Sequence, residues 1–216
     1  SGAYYDKKKK TLANVWWTGE KGEDYYFDKQ REKIINDLQK KLKGYKIYFG
    51  SIDDEMKHGI MHVYSDRLRN KYYICDFSTG DTKEIANPYP WLNEEDMAYM
   101  KPISYKSRDG LTIPGYLTIP KGVDPKNLPV VINPHGGPWA RDGWGYNPEV
   151  QFLANRGYAV LQMNFRGSTG YGKKFWDVSF KQWGKTMQDD ITDGVEYLKK
   201  EGIADPKRIA IYGGSY

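Results

Sequence analysis

Hydrophobic and polar positions change rhythm near residue 100. Before it, short aromatic-rich runs alternate with polar turns: Leu12–Thr18, Tyr25–Phe27, Tyr45–Gly50, Gly59–Ser65 and Lys71–Phe77. Runs of that length and composition suit pleated strands rather than helices. The last returns through Ser78-Thr-Gly-Asp-Thr82 into Lys83–Ala86, a hairpin with glycine in its turn. One helix interrupts the strands. Asp28 can cap it, Ile34, Leu38 and Leu42 fall four apart on one face, and Gly44 can end it. Short strands with regular turn signals predict a sandwich or propeller blades over residues 1–92. Asn93 followed by Glu94-Glu95-Asp96 predicts a short linker helix over residues 93–100, capped by Asn93 with acids in its first turn.

From Lys101 the pattern is different. Ile103–Ser107 and Leu111–Ile119 flank Arg108-Asp-Gly110, a hairpin signal. Leu128–Asn133 and Tyr158–Asn164 are nearly continuous apolar runs, as expected of strands buried on both faces. Glu149–Arg156 reads as a short helix and Gly167–Gly172 as a glycine-rich loop. Thr186 with Asp189 forms a capping-box pattern opening a helix whose Met187, Ile191, Val195 and Leu198 keep helical spacing. Gly194 inside that helix costs about 1 kcal/mol against alanine, so close packing on a sheet is expected there. Asp205-Pro206 then turns the chain into Ile209–Tyr212. Strand and helix alternating after a hairpin predict a mostly parallel sheet covered on both faces, with reactive groups where strands end.

Composition narrows the classes. The 216 residues can bury a sizeable core, and 39% hydrophobic with 28% charged residues reads as a soluble globular protein. Net charge is +5, and the single basic block, Lys7–Lys10, reads as a solvated loop between strands, so no nucleic-acid partner is expected. No apolar run is long enough for a transmembrane helix, so no membrane partner is expected either. The opening Ser-Gly-Ala-Tyr-Tyr carries no signal region and leaves the compartment unread. Cys75 is the lone cysteine and forms no disulfide within the chain. His58 and His62 are four apart, yet they flank a strand-like run that would separate them by roughly 13 Å, so no metal site is expected.

Two stretches carry chemistry. In Ile209-Ala-Ile-Tyr-Gly-Gly-Ser-Tyr216 an apolar strand runs into glycines and a serine, the pattern of a nucleophile elbow, G-x-S-x-G, through its fourth place. A serine on that turn needs strained backbone geometry and small neighbours, which Gly213 supplies. Directly after the first buried strand comes Asn133-Pro-His-Gly-Gly-Pro138. Acyl transfer builds negative charge on a carbonyl oxygen, and fixed backbone N–H donors stabilise it. Glycines let such a backbone approach substrate. In α/β-hydrolases one donor is the amide after the nucleophile, here Tyr216, and the other lies in this loop.

Residues 99–216 resemble the first half of the catalytic domain of the prolyl oligopeptidase family of serine peptidases, in particular its acylaminoacyl-peptidase and dipeptidyl-peptidase-like bacterial members. The resemblance rests on Arg108-Asp-Gly110, Ile113-Pro-Gly-Tyr-Leu117, His135-Gly-Gly-Pro138, Asn164-Phe-Arg-Gly-Ser-Thr-Gly-Tyr-Gly172, Gln188-Asp-Asp190 and Gly213-Gly-Ser-Tyr216. It implies an α/β-hydrolase unit over residues 101–216, preceded over residues 1–92 by the closing blades of a β-propeller. It implies that Ser215 is the nucleophile and that the N–H groups of Tyr216 and of the Gly136–Gly137 pair, Gly137 foremost, form the oxyanion hole. His135 then lines the same pocket, while Arg166 and Tyr171 shape it. The implied protein is a cofactor-free peptidase of short peptides, soluble in the bacterial cytoplasm or periplasm, with homo-oligomerisation left open.

In this fold the catalytic acid and base follow the serine. Only Tyr216 follows Ser215 here, so residues 1–216 are expected to be inactive alone and to need a further C-terminal segment carrying Asp and His. Without that segment Ile209–Tyr212 is expected to form an exposed strand edge. Two other readings stay open: a carboxylesterase of the same fold, and a non-catalytic propeller-based binding protein.

Overall fold

The four lysines Lys7–Lys10 form a turn because Asp6 accepts hydrogen bonds from the Lys8 and Lys9 amides, both at 3.0 Å. They join β1 (Gly2–Asp6) to β2 (Thr11–Trp17), which pairs with β3 (Glu23–Tyr26) in a three-stranded antiparallel sheet. The structure, a computed structural model, describes residues 2–216. The chain divides into two units, Ser1–Glu95 and Asp96–Tyr216.

In the first unit Asp28 caps α1 (Lys29–Lys41), accepting from the Gln30 and Arg31 amides at 3.0 and 3.2 Å. Strands β4 (Lys46–Ile52), β5 (His58–Tyr64), β6 (Lys71–Asp76) and β7 (Thr82–Ala86) form an antiparallel meander in sequence order. Alternation puts Ile47, Met61, Val63 and Cys75 on one face, where Leu38 of α1 joins them in a small core. His58 and His62 both lie on β5, the strand that their surroundings predict.

The linker is shorter than its acids predict. Glu94–Asp96 makes a single 3-10 turn, with Asn93 accepting from the Glu95 amide at 3.2 Å. After it, both main-chain groups of Ala98 are taken by one side chain. The Ala98 N–H donates to Gln151 Oε1 at 2.9 Å, and the Ala98 carbonyl accepts from Gln151 Nε2 at 2.8 Å.

The second unit is one five-stranded sheet built from β8 (Met100–Lys106), β9 (Thr112–Thr118), β10 (Leu128–Ile132), β11 (Ala159–Met163) and β12 (Ala204–Ile211). The order is β12-β10-β11-β9-β8. Strand β10 runs parallel to β11 and β12, whereas β9 is antiparallel to both β11 and β8. Within these residues the sheet is therefore mixed rather than mostly parallel, because the opening hairpin supplies two of its five strands. All of β11 is buried, which explains its uninterrupted apolar run.

Helices α2 (Pro148–Ala154), α3 (Lys173–Asp177) and α4 (Thr186–Lys200) complete the unit. Asn147 caps α2, with Pro148 in its first turn. Thr186 is not a cap. Lys185 holds the N-cap position, and the Thr186 hydroxyl donates to Gln182 Oε1 at 3.1 Å instead. Met187, Ile191 and Leu198 of α4 pack with Val130, Ile132, Leu161 and Phe175 in the main core. A Cβ at Gly194 would stand 2.8 Å from Tyr105 Oη and 3.1 Å from Leu161 Cδ2, so glycine is what lets α4 lie on β8 and β11.

Candidate active site

Strand β12 reaches its end tied to β10. The Tyr212 amide donates to Ile132 O at 2.9 Å, and Asn133 Nδ2 donates to Tyr212 O at 2.8 Å. Gly213 follows, and any Cβ there would lie 2.8 Å from Pro134 O, so only glycine passes that point. Two residues on, Ser215 has φ +60. A non-glycine residue in the left-handed region is uncommon, and the surrounding structure must enforce it. The serine thus sits in the strained backbone that its sequence pattern predicts.

The loop after β10 lies against this turn. A Cβ built on Gly136 would sit 2.6 Å from Gly214 O, 3.0 Å from Ser215 Cβ and 3.2 Å from Ser215 O. Main chain meets main chain here, with no room for any side chain. Gly137 has φ +133 and precedes Pro138 through a cis peptide bond. Among the described residues, neither the Gly137 nor the Tyr216 N–H donates to a protein acceptor. Unpaired main-chain donors beside a serine are what a developing oxyanion requires.

His135 fixes one of these donors. Its Nδ1 lies 2.7 Å from Gly136 O and its Nε2 lies 2.8 Å from Ser168 Oγ. Burial lowers the His135 pKa, which keeps the ring neutral near pH 7. A carbonyl cannot donate, so the ring proton is assigned to Nδ1, donating to Gly136 O. Since the Gly136–Gly137 peptide is trans, anchoring its carbonyl on His135 turns the Gly137 N–H the opposite way.

Beneath both halves lies Phe165, fully buried. The His135 ring stacks on it at 4.4 Å with an 18° interplanar angle, and the Tyr216 ring meets it edge-on at 5.3 Å. The Tyr216 hydroxyl donates to Gln188 Oε1 at 3.1 Å. Next to Phe165, Arg166 turns inward. Its amide, Nε and Nη2 all bond the Asp190 carboxylate at 2.6–2.9 Å, and its Nη1 reaches Asp109 at 2.8 Å. Hydrogen bonding to Asp190 raises the Arg166 pKa, so the guanidinium is permanently charged and wholly committed.

The Tyr171 hydroxyl accepts from Arg141 Nη2 and Asn164 Nδ2, both at 2.8 Å, and burial pushes its pKa up to about 12. The Arg141 guanidinium also lies over the Tyr171 ring, 4.4 Å from its centre. Beyond Pro138, Trp139 stands exposed and meets Trp176 edge-on at 6.1 Å. Ser215, Tyr216, Gly136, Gly137 and His135 therefore gather in one place. Arg166 and Tyr171 are engaged with neighbouring carboxylate, guanidinium and amide groups. Phe165 and Ser168 were not singled out by sequence. An aromatic side chain directly after a buried strand and before Arg-Gly-Ser was the available signal.

Residues 144–216 match the prolyl oligopeptidase family. The chain is 42% identical over 152 residues to dipeptidyl aminopeptidase BIII of Pseudoxanthomonas mexicana, covering 67% of this chain and 22% of that protein. It is 38% identical over 195 residues to dipeptidyl peptidase family member 6 of Caenorhabditis elegans, covering 73% and 26%. Among solved structures, the acylaminoacyl peptidase of Pyrococcus horikoshii superposes with a TM-score of 0.61 at 26% identity, covering 78% of this chain and 27% of that one. The chain thus spans about a quarter of the length of the relatives it matches.

Proposed function

Because residues 144–216 belong to the prolyl oligopeptidase family, we propose that the protein carrying this chain is a serine peptidase of short peptides, of dipeptidyl or acylaminoacyl type, whose first unit is part of a β-propeller. Ser215 Oγ attacks the scissile carbonyl, and an ester forms as the C–N bond breaks. The leaving amine takes up the proton that the base removed from the serine. The Gly137 and Tyr216 N–H groups receive the negative charge on the carbonyl oxygen, each such donor contributing about 2.7–4 kcal/mol to the transition state. The observation that carries this reading is the contact of the Gly136 main chain with a Ser215 held at φ +60.

A serine hydroxyl needs a base held by a third group. His135 is engaged at both ring nitrogens, and His58 and His62 lie on β5. The base and its carboxylate would come from residues after Tyr216, and residues 1–216 would be inactive alone. In the full-length protein, a fluorophosphonate probe should label Ser215, and Ser215→Ala should lower peptide hydrolysis by about 10⁶-fold. Free and N-acylated peptide anilides separate the two types. Wild-type protein that is neither labelled nor active overturns the reading.

A further inference from the structure

We propose that Phe165 and Ser168, on the turn after β11, are positioning residues that hold the two oxyanion donors in register with Ser215. This rests on the peptidase reading above and assigns roles to side chains that touch no substrate. The two donors come from distant segments, the loop after β10 and the elbow after β12. The turn Asn164–Ser168 meets both. Phe165 supports the His135 ring on one side and the Tyr216 ring on the other. Ser168 Oγ holds His135 Nε2 at 2.8 Å, and His135 Nδ1 holds the Gly136 carbonyl at 2.7 Å. The position of the Gly137 N–H therefore depends on the chain Ser168–His135–Gly136.

The turn is itself rigid. The Ser168 amide donates to Phe165 O at 3.0 Å. The Asn164 amide donates to Pro114 O at 2.8 Å, and the Arg166 amide is fixed on the buried Asp190. A Cβ at Gly167 would stand 2.7 Å from Ser179 Cβ, so even the glycine of the turn is hemmed in. A rigid turn touching both donors can fix their separation, which is what preorganised stabilisation of charge requires.

The experiment uses the full-length protein and a peptide anilide substrate. Ser168→Ala removes only a hydroxyl and Phe165→Leu keeps an apolar side chain, and thermal unfolding checks that both fold. Both variants should lower kcat by about 10-fold, less than the 10²–10³-fold loss on deleting an oxyanion donor, with KM little changed. Affinity for a peptide aldehyde, which forms a tetrahedral adduct on the serine, should fall in parallel. Affinity for a non-reactive product peptide should stay. In a His135→Ala background the Ser168→Ala change should cost almost nothing more, because it acts through the ring. Folded variants with unchanged kcat, or equal losses for aldehyde and product peptide, overturn the proposal while leaving the peptidase reading intact. A wild type with no activity overturns both.

Discussion

Aspartates do two kinds of work, and Asp190 and Asp193 of the second unit contrast with the turn-forming aspartates of the first. In the first, Asp6, Asp28, Asp53 and Asp76 accept from main-chain amides two to five residues further along. They decide turns and one helix cap. In the second, Asp190 takes its donors from Arg166, 24 positions away, and Asp193 takes its own from Ser107 and Arg108, 86 and 85 positions away. These carboxylates decide where distant segments lie. The first kind organises turns between strands, and the second ties the Arg166 turn and the β8–β9 hairpin to α4.

The sharpest way to break that contrast is Asp190→Ala. It would leave the Arg166 guanidinium buried with only Asp109, at 2.8 Å, for company. Loss of one partner from a buried ion pair is expected to cost about 3–5 kcal/mol, read from the urea midpoint of the second unit. A loss below 1 kcal/mol would put Asp190 with the turn aspartates.

A second carboxylate sharpens the contrast through pH. Burial pushes the Asp142 pKa up to about 6 from 3.8. The folded state then binds more protons than the unfolded state between those values, so stability falls as pH rises through that window, by at most about 3 kcal/mol. Asp142→Asn should flatten the stability profile between pH 4 and 6, measured by thermal unfolding.

The smallest effect belongs to the turn class. Hydrogen bonds from Ser78 and the Thr79 amide hold the Asp76 pKa below 3.8. Its contribution is present above that value and fades as pH falls through the lowered one. Asp76→Asn should speed amide exchange at Ser78 and Thr79 near neutral pH and remove that acid dependence. The second unit should not respond.

The same division explains what could be read from residues alone. Asp28 before α1 and the Ser78–Thr82 hairpin are local patterns, and each takes its expected place. The Arg166–Asp190 pair was invisible, because the resemblance gave Arg166 a pocket-shaping role and spacing alone names no partner 24 positions away. Thr186 misled for a related reason: its hydroxyl found Gln182 rather than an α4 amide. Glu94-Glu95-Asp96 promised a longer helix but makes one 3-10 turn, after which Ala98 pairs with Gln151, far along the chain. Helix α3 is five residues long, too short to leave a period. Phe165 falls between the strand and loop readings yet is core, and only its contacts with His135 and Tyr216 show what it supports.

The hydroxyl of Ser168 has one further consequence. With a neutral imidazole it can donate to Nε2. Once the ring gains a proton, the same hydroxyl can rotate to Phe165 O and accept from Nε2–H instead. Either way Nδ1 keeps its bond to Gly136 O. Acidification can thus charge the imidazole while Ser168, His135 and Gly136 stay linked, the one hydroxyl hydrogen changing its acceptor.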